Sequence, residues 1–232
     1  MNRSNVAIYS IDGNIGSGKS TFIEYLKKNN KNSNIIFLPE PVDEWNTIKD
    51  ENEITIIEKF YGNNKKYAFS FQMMAYISRL AQIRDCIKKC NEDTIIIMER
   101  CVFTDKNVFA KMLYDNKMIE EVNYKIYNKW FEHFISEINF NGIIYIKTDP
   151  KIAHERVIKR GRKGEVIELS YLENCSKYHD EWINSEKMNT LTLDGNFENN
   201  DTLYECWCNN VEEFIKTKFY TTDYECKWLT GC

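Results

Sequence analysis

The run Gly13-Asn14-Ile15-Gly16-Ser17-Gly18-Lys19-Ser20, followed by Thr21, has the spacing G-x-x-x-x-G-K-[ST]. Glycines at these positions let backbone N–H groups turn inward around a phosphate, and a helix starting at the end of the run adds its positive dipole end. Lys19 supplies a point charge for terminal phosphates, and Ser20 a hydroxyl for Mg²⁺. This is triphosphate-binding chemistry, and it needs a carboxylate at the end of a buried strand, facing the metal. Glu99, after Thr94-Ile95-Ile96-Ile97-Met98 and before Arg100, occupies such a place. A second acid, Glu40, stands between Pro39 and Pro41 in a stiff loop, with Trp45 just beyond. Arg160-Gly161-Arg162, with Arg156 a turn upstream, presents guanidinium forks that match phosphate oxygens. Taken singly, Glu99 reads as a solvated turn residue, Glu40 as a loop acid and the arginines as a basic turn. Their convergence on one phosphate loop favours a site.

Such residues need a scaffold that brings distant loops together. Val6 to Ile11, Ile35 to Leu38, Thr94 to Met98, Gly142 to Lys147 and Thr190 to Asp194 are short, β-branched-rich and almost continuously apolar, as strands covered on both faces are. Helical segments are expected between them: Ser20 to Asn29, Tyr67 to Lys89, Thr104 to Tyr114, Ile119 to Ile138, Asp149 to Lys159, Leu169 to Asn184 and Asp201 to Lys218. Thr148-Asp149-Pro150 makes a good helix start, with Asp as cap and Pro in the first turn. The alternation predicts an α/β protein with a five-stranded parallel sheet flanked by helices, whose ligands bind beyond the carboxyl ends of the strands.

Composition agrees. With 232 residues, 43% apolar and 14% aromatic, the chain can bury a core and is not disordered. A net charge of −4 argues against polymeric nucleic acid as a partner, and no apolar run is long enough to cross a membrane. The eight cysteines show no CxxC spacing and read as reduced packing thiols, which points to the cytosol. No apolar signal segment precedes the first strand. The Asn-, Lys- and Ile-rich usage suits an AT-rich coding genome, such as that of a virus replicating in the cytosol.

Six ordered motifs resemble those of the deoxynucleoside kinase family. They are Asp12-Gly13-Asn14-Ile15 leading into the phosphate loop, Glu40-Pro41-Val42 with Trp45, Phe71-Gln72 with Ser78-Arg79, Glu99-Arg100 with Asp105, Arg156 with Arg160-Gly161-Arg162, and Tyr171-Leu172 with His179 and Trp182. The resemblance spans Ile8 to about Leu193. It implies a P-loop kinase fold in one domain over 1–232, with an arginine-rich lid at about 160–168 and a tail from 220 that matches nothing. It implies transfer of the ATP γ-phosphate, with Mg²⁺ held by Ser20 and Glu99, to the 5′-hydroxyl of a deoxynucleoside in nucleotide salvage. Glu40 then looks like the base for that hydroxyl and Arg100 its partner, with Lys19 and Glu99 completing the catalytic set. Tyr61, eleven residues before Gln72, and Glu165 would hold the 3′-hydroxyl. Gln72 would pair with the base edge, Phe71 and Phe109 would sandwich the base, and Trp45 would wall the pocket. Arg156, Arg160 and Arg162 would cover the ATP phosphates. The resemblance also suggests a homodimer through a helical face.

Arg79 and Asp105 bear on the base. A buried Arg–Asp pair suits an exocyclic amine and ring nitrogen, whereas a thymine methyl would face a polar group. The expectation is purine or cytosine. Three departures stand out: Cys101 where a Ser usually follows the Glu-Arg pair, a short Lys163-to-Ser170 segment, and a short stretch after Trp182 that leaves the adenine loop at Asn196, Phe197 and Glu198 weakly placed. The competing readings are a thymidine- or thymidylate-type kinase and a noncatalytic accessory subunit with this fold. Glu99-Arg100 and Glu40-Pro41-Val42 oppose the thymidylate reading. The intact Lys19, Ser20, Glu40, Glu99, Arg100, Arg160 and Arg162 oppose the accessory one.

Overall fold

The computed structural model describes residues 5–90, 93–136, 138–162, 165–185, 188–198 and 200–219. The expected tail from Tyr220, Lys163, and part of the expected lid lie outside these residues. Five strands, β1 (Val6–Gly13), β2 (Ile35–Leu38), β3 (Thr94–Glu99), β4 (Gly142–Lys147) and β5 (Thr190–Asp194), form one sheet in the order β2-β3-β1-β4-β5. Every pairing is parallel, with Ile11 opposite Glu99 and Gly13 opposite Ile146. The chain leaves β1 toward one edge of the sheet and later crosses to the other. The carboxyl end of β1 is therefore the switch point where α/β ligands bind.

Period-two alternation divides each central strand between two apolar layers. Ile8, Ile96, Met98, Ile143 and Tyr145 face one layer with Tyr76, Tyr127, Phe131 and Trp182. Ala7, Tyr9, Ile11, Ile95, Ile97, Ile144 and Ile146 face the other, with Phe22, Tyr204, Trp207 and Val211. Burying each such large side chain contributes about 1.5–3 kcal/mol, so both faces demand apolar residues and the strands read as unbroken runs.

The helices are α1 (Lys19–Asn29), α2 (Val42–Thr47), α3 (Ile56–Gly62), α4 (Asn64–Lys89), α5 (Val102–Thr104), α6 (Lys111–Asp115), α7 (Glu121–Ile135), α8 (Pro150–Arg160), α9 (Leu169–Ser185) and α10 (Asp201–Phe219). A π-helical turn, Asp105–Ala110, joins α5 to α6. Several differ from expectation. Helix α4 starts three residues earlier than Tyr67, because the Asn63 side chain accepts from Lys66 N at 3.1 Å and caps it. Helix α7 is shorter than Ile119 to Ile138 at both ends. Thr104 to Tyr114 is a composite with a π turn, which local periodicity does not reveal. Helices α2 and α3 were not expected at all, although Thr55-Ile56-Ile57-Glu58 forms a full capping box. At α8 the expected Asp149 cap is present, accepting from Lys151 N at 2.8 Å with Pro150 in the first turn.

Candidate active site

The phosphate loop leaves β1 at Gly13 and enters α1 at Lys19. Gly16 has φ +81°, and a Cβ there would lie 2.3 Å from the Ala153 carbonyl of α8, so the loop backbone packs directly on that helix. On the other side the Asn14 side chain donates to Leu172 O of α9 at 2.8 Å, and its Oδ1 accepts from Ile15 N. The loop is thus clasped by the two helices that flank the Arg160 turn. Buried Lys19 folds back, its Nζ donating to Gly13 O at 3.1 Å and Asn14 O at 2.7 Å. Burial, and then the Arg100 charge, pull its ammonium down to about 7, against the pull of Glu99 and Glu40 upward.

Facing the loop is the end of β3. Ser20 Oγ donates to Glu99 Oε1 at 2.8 Å, which brings the two expected metal donors together. A hydroxyl and a carboxylate are hard oxygen donors and fit Mg²⁺. The described residues contain no cluster of three His, Cys, Asp or Glu, and an ion bound chiefly through phosphate oxygens needs none. Arg100 has φ +62° and is nearly buried. Its amide donates to Ile11 O at 3.0 Å and its Nη1 to Gly13 O at 2.8 Å, which locks the strand end onto the loop.

Glu40 enters from the loop after β2. Its Oε1 lies 3.1 Å from Arg79 Nη2 and 3.4 Å from Arg100 Nε. Burial pushes this carboxyl up, but Arg100, then Arg79 and Lys19, outweigh it and hold Glu40 below its ordinary value. Arg79 is 1% exposed and centres the cluster. Its Nε donates to Asp105 Oδ2 at 2.9 Å and its Nη1 to Glu99 O at 2.8 Å. Burial works against the Arg79 charge, and Asp105 and then Glu40 outweigh it, so the guanidinium stays charged.

One cleft of about 1450 Å³ collects these groups. Trp45, Tyr61, Phe71, Gln72, Phe109, Arg156, Arg160, Arg162, Glu165, Ser20 and Thr21 all line it. Phe71 stacks on Phe60 at 4.6 Å and meets Trp45 edge-on, so one of its faces is already covered. Phe109 lies 4.9 Å from the Arg100 guanidinium carbon. Gln72 is buried with its Oε1 unpartnered. The expected phosphate arginines differ in state. Arg156 donates to Gly195 O at 3.0 Å and Phe197 O at 2.8 Å, so its fork is engaged by the loop after β5. Arg160 is paired with Glu165 at 2.6 Å. Arg162 is exposed at the cleft wall.

Three residues named in the sequence, Asp12, Cys101 and Ser78, have contacts in the fold that their positions did not foretell. Fully buried Asp12 accepts from Ser10 Oγ at 2.5 Å and from Thr104 Oγ1, tying the phosphate-loop strand to the segment that carries Asp105. Cys101, the departure noted above, heads α5 without a capping bond, its Sγ 3.4 Å from Thr104 Oγ1. Ser78 accepts from Trp45 Nε1 at 2.8 Å and fixes the pocket wall. Asp12 and Ser78 stand within the motifs and Cys101 departs from one, but the partners of all three are set by the fold.

The sequence model of the deoxynucleoside kinase family matches residues 9–216. Deoxycytidine kinase 1 of Xenopus laevis is 33% identical, with 93% of each chain covered. A fowlpox virus protein named as a probable deoxycytidine kinase is also 33% identical, over 89% of this chain and 87% of its own. The mitochondrial deoxyguanosine kinase of Xenopus laevis is 28% identical, over 89% and 88%. The match over residues 9–216 and the relatives' identity show that the chain belongs to the deoxynucleoside kinase family.

Proposed function

We propose that the chain transfers the γ-phosphoryl group of Mg-ATP to the 5′-hydroxyl of a deoxynucleoside carrying cytosine or a purine. The observation that carries this reading is the Arg79 hub, which touches Asp105 on the pocket side and Glu40 on the phosphate side. A carboxamide can turn over and pair with any base edge, so Gln72 supplies affinity and discriminates little. Discrimination falls to Arg79 and Asp105, which set a charged pair where thymine would bring a methyl group. Relatives named for deoxycytidine and deoxyguanosine are in line with this assignment.

Phosphoryl transfer through a loose transition state requires alignment and charge neutralisation more than strong base catalysis. Glu40, ionised at neutral pH beside Arg79 and Arg100, orients the 5′-hydroxyl and accepts its proton late. Arg100 holds Glu40 and faces the transferring phosphoryl. Lys19 leaves the carbonyls of Gly13 and Asn14 for phosphate oxygens. Ser20 and Glu99 would hold Mg²⁺, which supplies charge neutralisation at the β- and γ-phosphates. Trp45, Phe71 and Phe109 exclude water around the base, and Tyr61 and Glu165 hold the sugar. Arg160 and Arg162 reach the phosphates directly, whereas Arg156 braces the loop after β5.

The reading extends to organisation. Both apolar layers lie on one sheet, as in a single domain. Val122, Ile126 and Trp130 form an exposed stripe along α7, with exposed Ile77 on the adjoining α4, and this face suits a homodimer. Six described cysteines are free, which fits a reducing compartment such as the cytosol, and no described helix is long and apolar enough to cross a membrane.

The test is initial rates with Mg-ATP on deoxyadenosine, deoxyguanosine, deoxycytidine and thymidine, for wild type, Glu40→Gln and Lys19→Ala. Turnover of one of the first three, reduced at least ~100-fold in both variants, is expected. Turnover of thymidine alone would refute the base assignment and leave the kinase. No turnover of any would refute the transfer reaction.

A further inference from the structure

The reading above gives Glu165 to the sugar and Arg160 to the triphosphate, yet the two hold each other. Arg160 Nη2 lies 2.6 Å from Glu165 Oε2, with the Glu165 side chain 9% exposed and that of Arg160 32%. Both line the one cleft. The Glu165 carboxylate is also close enough to Tyr61 that its charge, after burial, pushes the Tyr61 phenol up. Glu165 therefore stands between the aromatic pocket and the phosphate arginines. Its own amide donates to Arg162 O at 3.2 Å, which anchors it in the turn.

Resting on the kinase reading, we propose that the Arg160–Glu165 ion pair couples the nucleoside and triphosphate subsites, so that each ligand tightens the binding of the other. A triphosphate that draws Arg160 onto its oxygens weakens the pair and leaves a mostly buried carboxylate in need of a donor. A sugar hydroxyl is such a donor. Conversely, a hydroxyl bound at Glu165 relieves Arg160 of its partner and frees its N–H groups for phosphate. The cost of loosening the pair falls on whichever ligand arrives first, and the second finds it already met. The coupling must then be equal in both directions. Arg156 does not carry it, because the acceptors of its guanidinium, Gly195 O and Phe197 O, belong to the loop after β5 and not to a residue assigned to the sugar.

The experiment is a thermodynamic cycle on the full chain by titration calorimetry. Kd is measured for deoxycytidine, deoxyguanosine and deoxyadenosine with and without a saturating non-hydrolysable Mg-ATP analogue, and for the analogue with and without nucleoside. In the wild type each ligand is expected to tighten the other about fivefold or more. In Glu165→Gln and in Arg160→Gln the factor falls below about twofold, and the double variant loses nothing further. Melting temperatures establish that each variant is folded, and substitutions at the two ends of the pair check one another. Independent binding in the wild type, or coupling retained in a folded variant, would overturn the inference and leave the kinase. A wild type that binds neither ligand would overturn the kinase reading, and the inference with it.

Discussion

At the scale of single residues, the site is a problem of too many charges in a small volume. Arg79, Arg100 and Lys19 surround Glu40, and each positive group is kept by a specific acceptor: Asp105 for Arg79, Gly13 O for Arg100, and Gly13 O and Asn14 O for Lys19. Buried charges persist only where paired and hydrogen-bonded, which is why Asp105 and the loop carbonyls matter as much as the groups that meet substrate. Replacing the pair by Arg79→Met with Asp105→Ala removes the polar barrier to a methyl group. The expected result is a rise in the ratio of thymidine to deoxycytidine kcat/KM of about tenfold or more, measured in a nucleoside panel. Buried Asp12 is the second tense point, with Ser10 and Thr104 as its donors. Thr104→Val leaves one carboxylate oxygen unsatisfied and should cost about 1–3 kcal/mol in chemical denaturation, whereas Thr104→Ser retains the donor and should cost much less.

At the scale of elements, the phosphate loop is shaped by what it touches. Gly16 lies against α8, and Asn14 is tied to α9. In Gly16→Ala the added methyl would meet the Ala153 carbonyl at 2.3 Å in a left-handed backbone. We expect a loss of about 1–3 kcal/mol and ATP affinity down about tenfold by calorimetry. Gly62→Ala, where nothing lies within 4 Å, is the control and should leave ATP binding unchanged. Helix α9 also carries His179, fully buried between Tyr145 and Phe109, with its Nδ1 on Cys175 O at 2.7 Å. Burial, then the Arg100 charge, pull its pKa down to about 3. The folded state keeps the ring neutral while an unfolded chain protonates it below about 6.5, so acid favours unfolding. Stability should therefore rise with pH through the window between about 3 and 6.5, by up to ~1.4 kcal/mol per pH unit from this group. Denaturation at pH 4.5, 5.5 and 6.5 (each set approximately) should show a shallower slope in His179→Gln.

At the scale of the whole molecule, the strand order brings the ends of β1 and β3 side by side and the loop after β2 across them. This is why Lys19, Glu40 and the adjacent Glu99 and Arg100, from three separate parts of the chain, share one cleft. The outer face of α7 and α4 is exposed instead. Val122, at 63% exposed, and Trp130, at 45%, form an apolar stripe that water solvates poorly. If two copies meet there, Trp130→Glu puts a charge into the interface. Sedimentation should then show a monomer, with a melting temperature that no longer depends on protein concentration.

Local order was legible in the chain because its causes are local. The phosphate loop is eight contiguous residues, the strands are continuous apolar runs forced by burial on both faces, and the Asp149 cap sits next to the helix it starts. The π turn at Asp105–Ala110 was not legible, since residues that wind as π or α share one composition. Of the pairings that organise the site, Arg79 with Asp105 and Glu40 with Arg100 were expected from the family resemblance and are present, at 2.9 and 3.4 Å, whereas the contacts that tie them to the rest of the fold were not legible. Thr104 reaches Asp12 across 92 residues and Arg79 reaches Glu40 across 39. Composition could nominate each of these side chains, but which acid meets which base depends on where the sheet and its helices set their backbones. Arg160 and Glu165 show the same limit at close range. Both were expected in the cleft, each with a ligand of its own, and only the folded turn reveals them as partners.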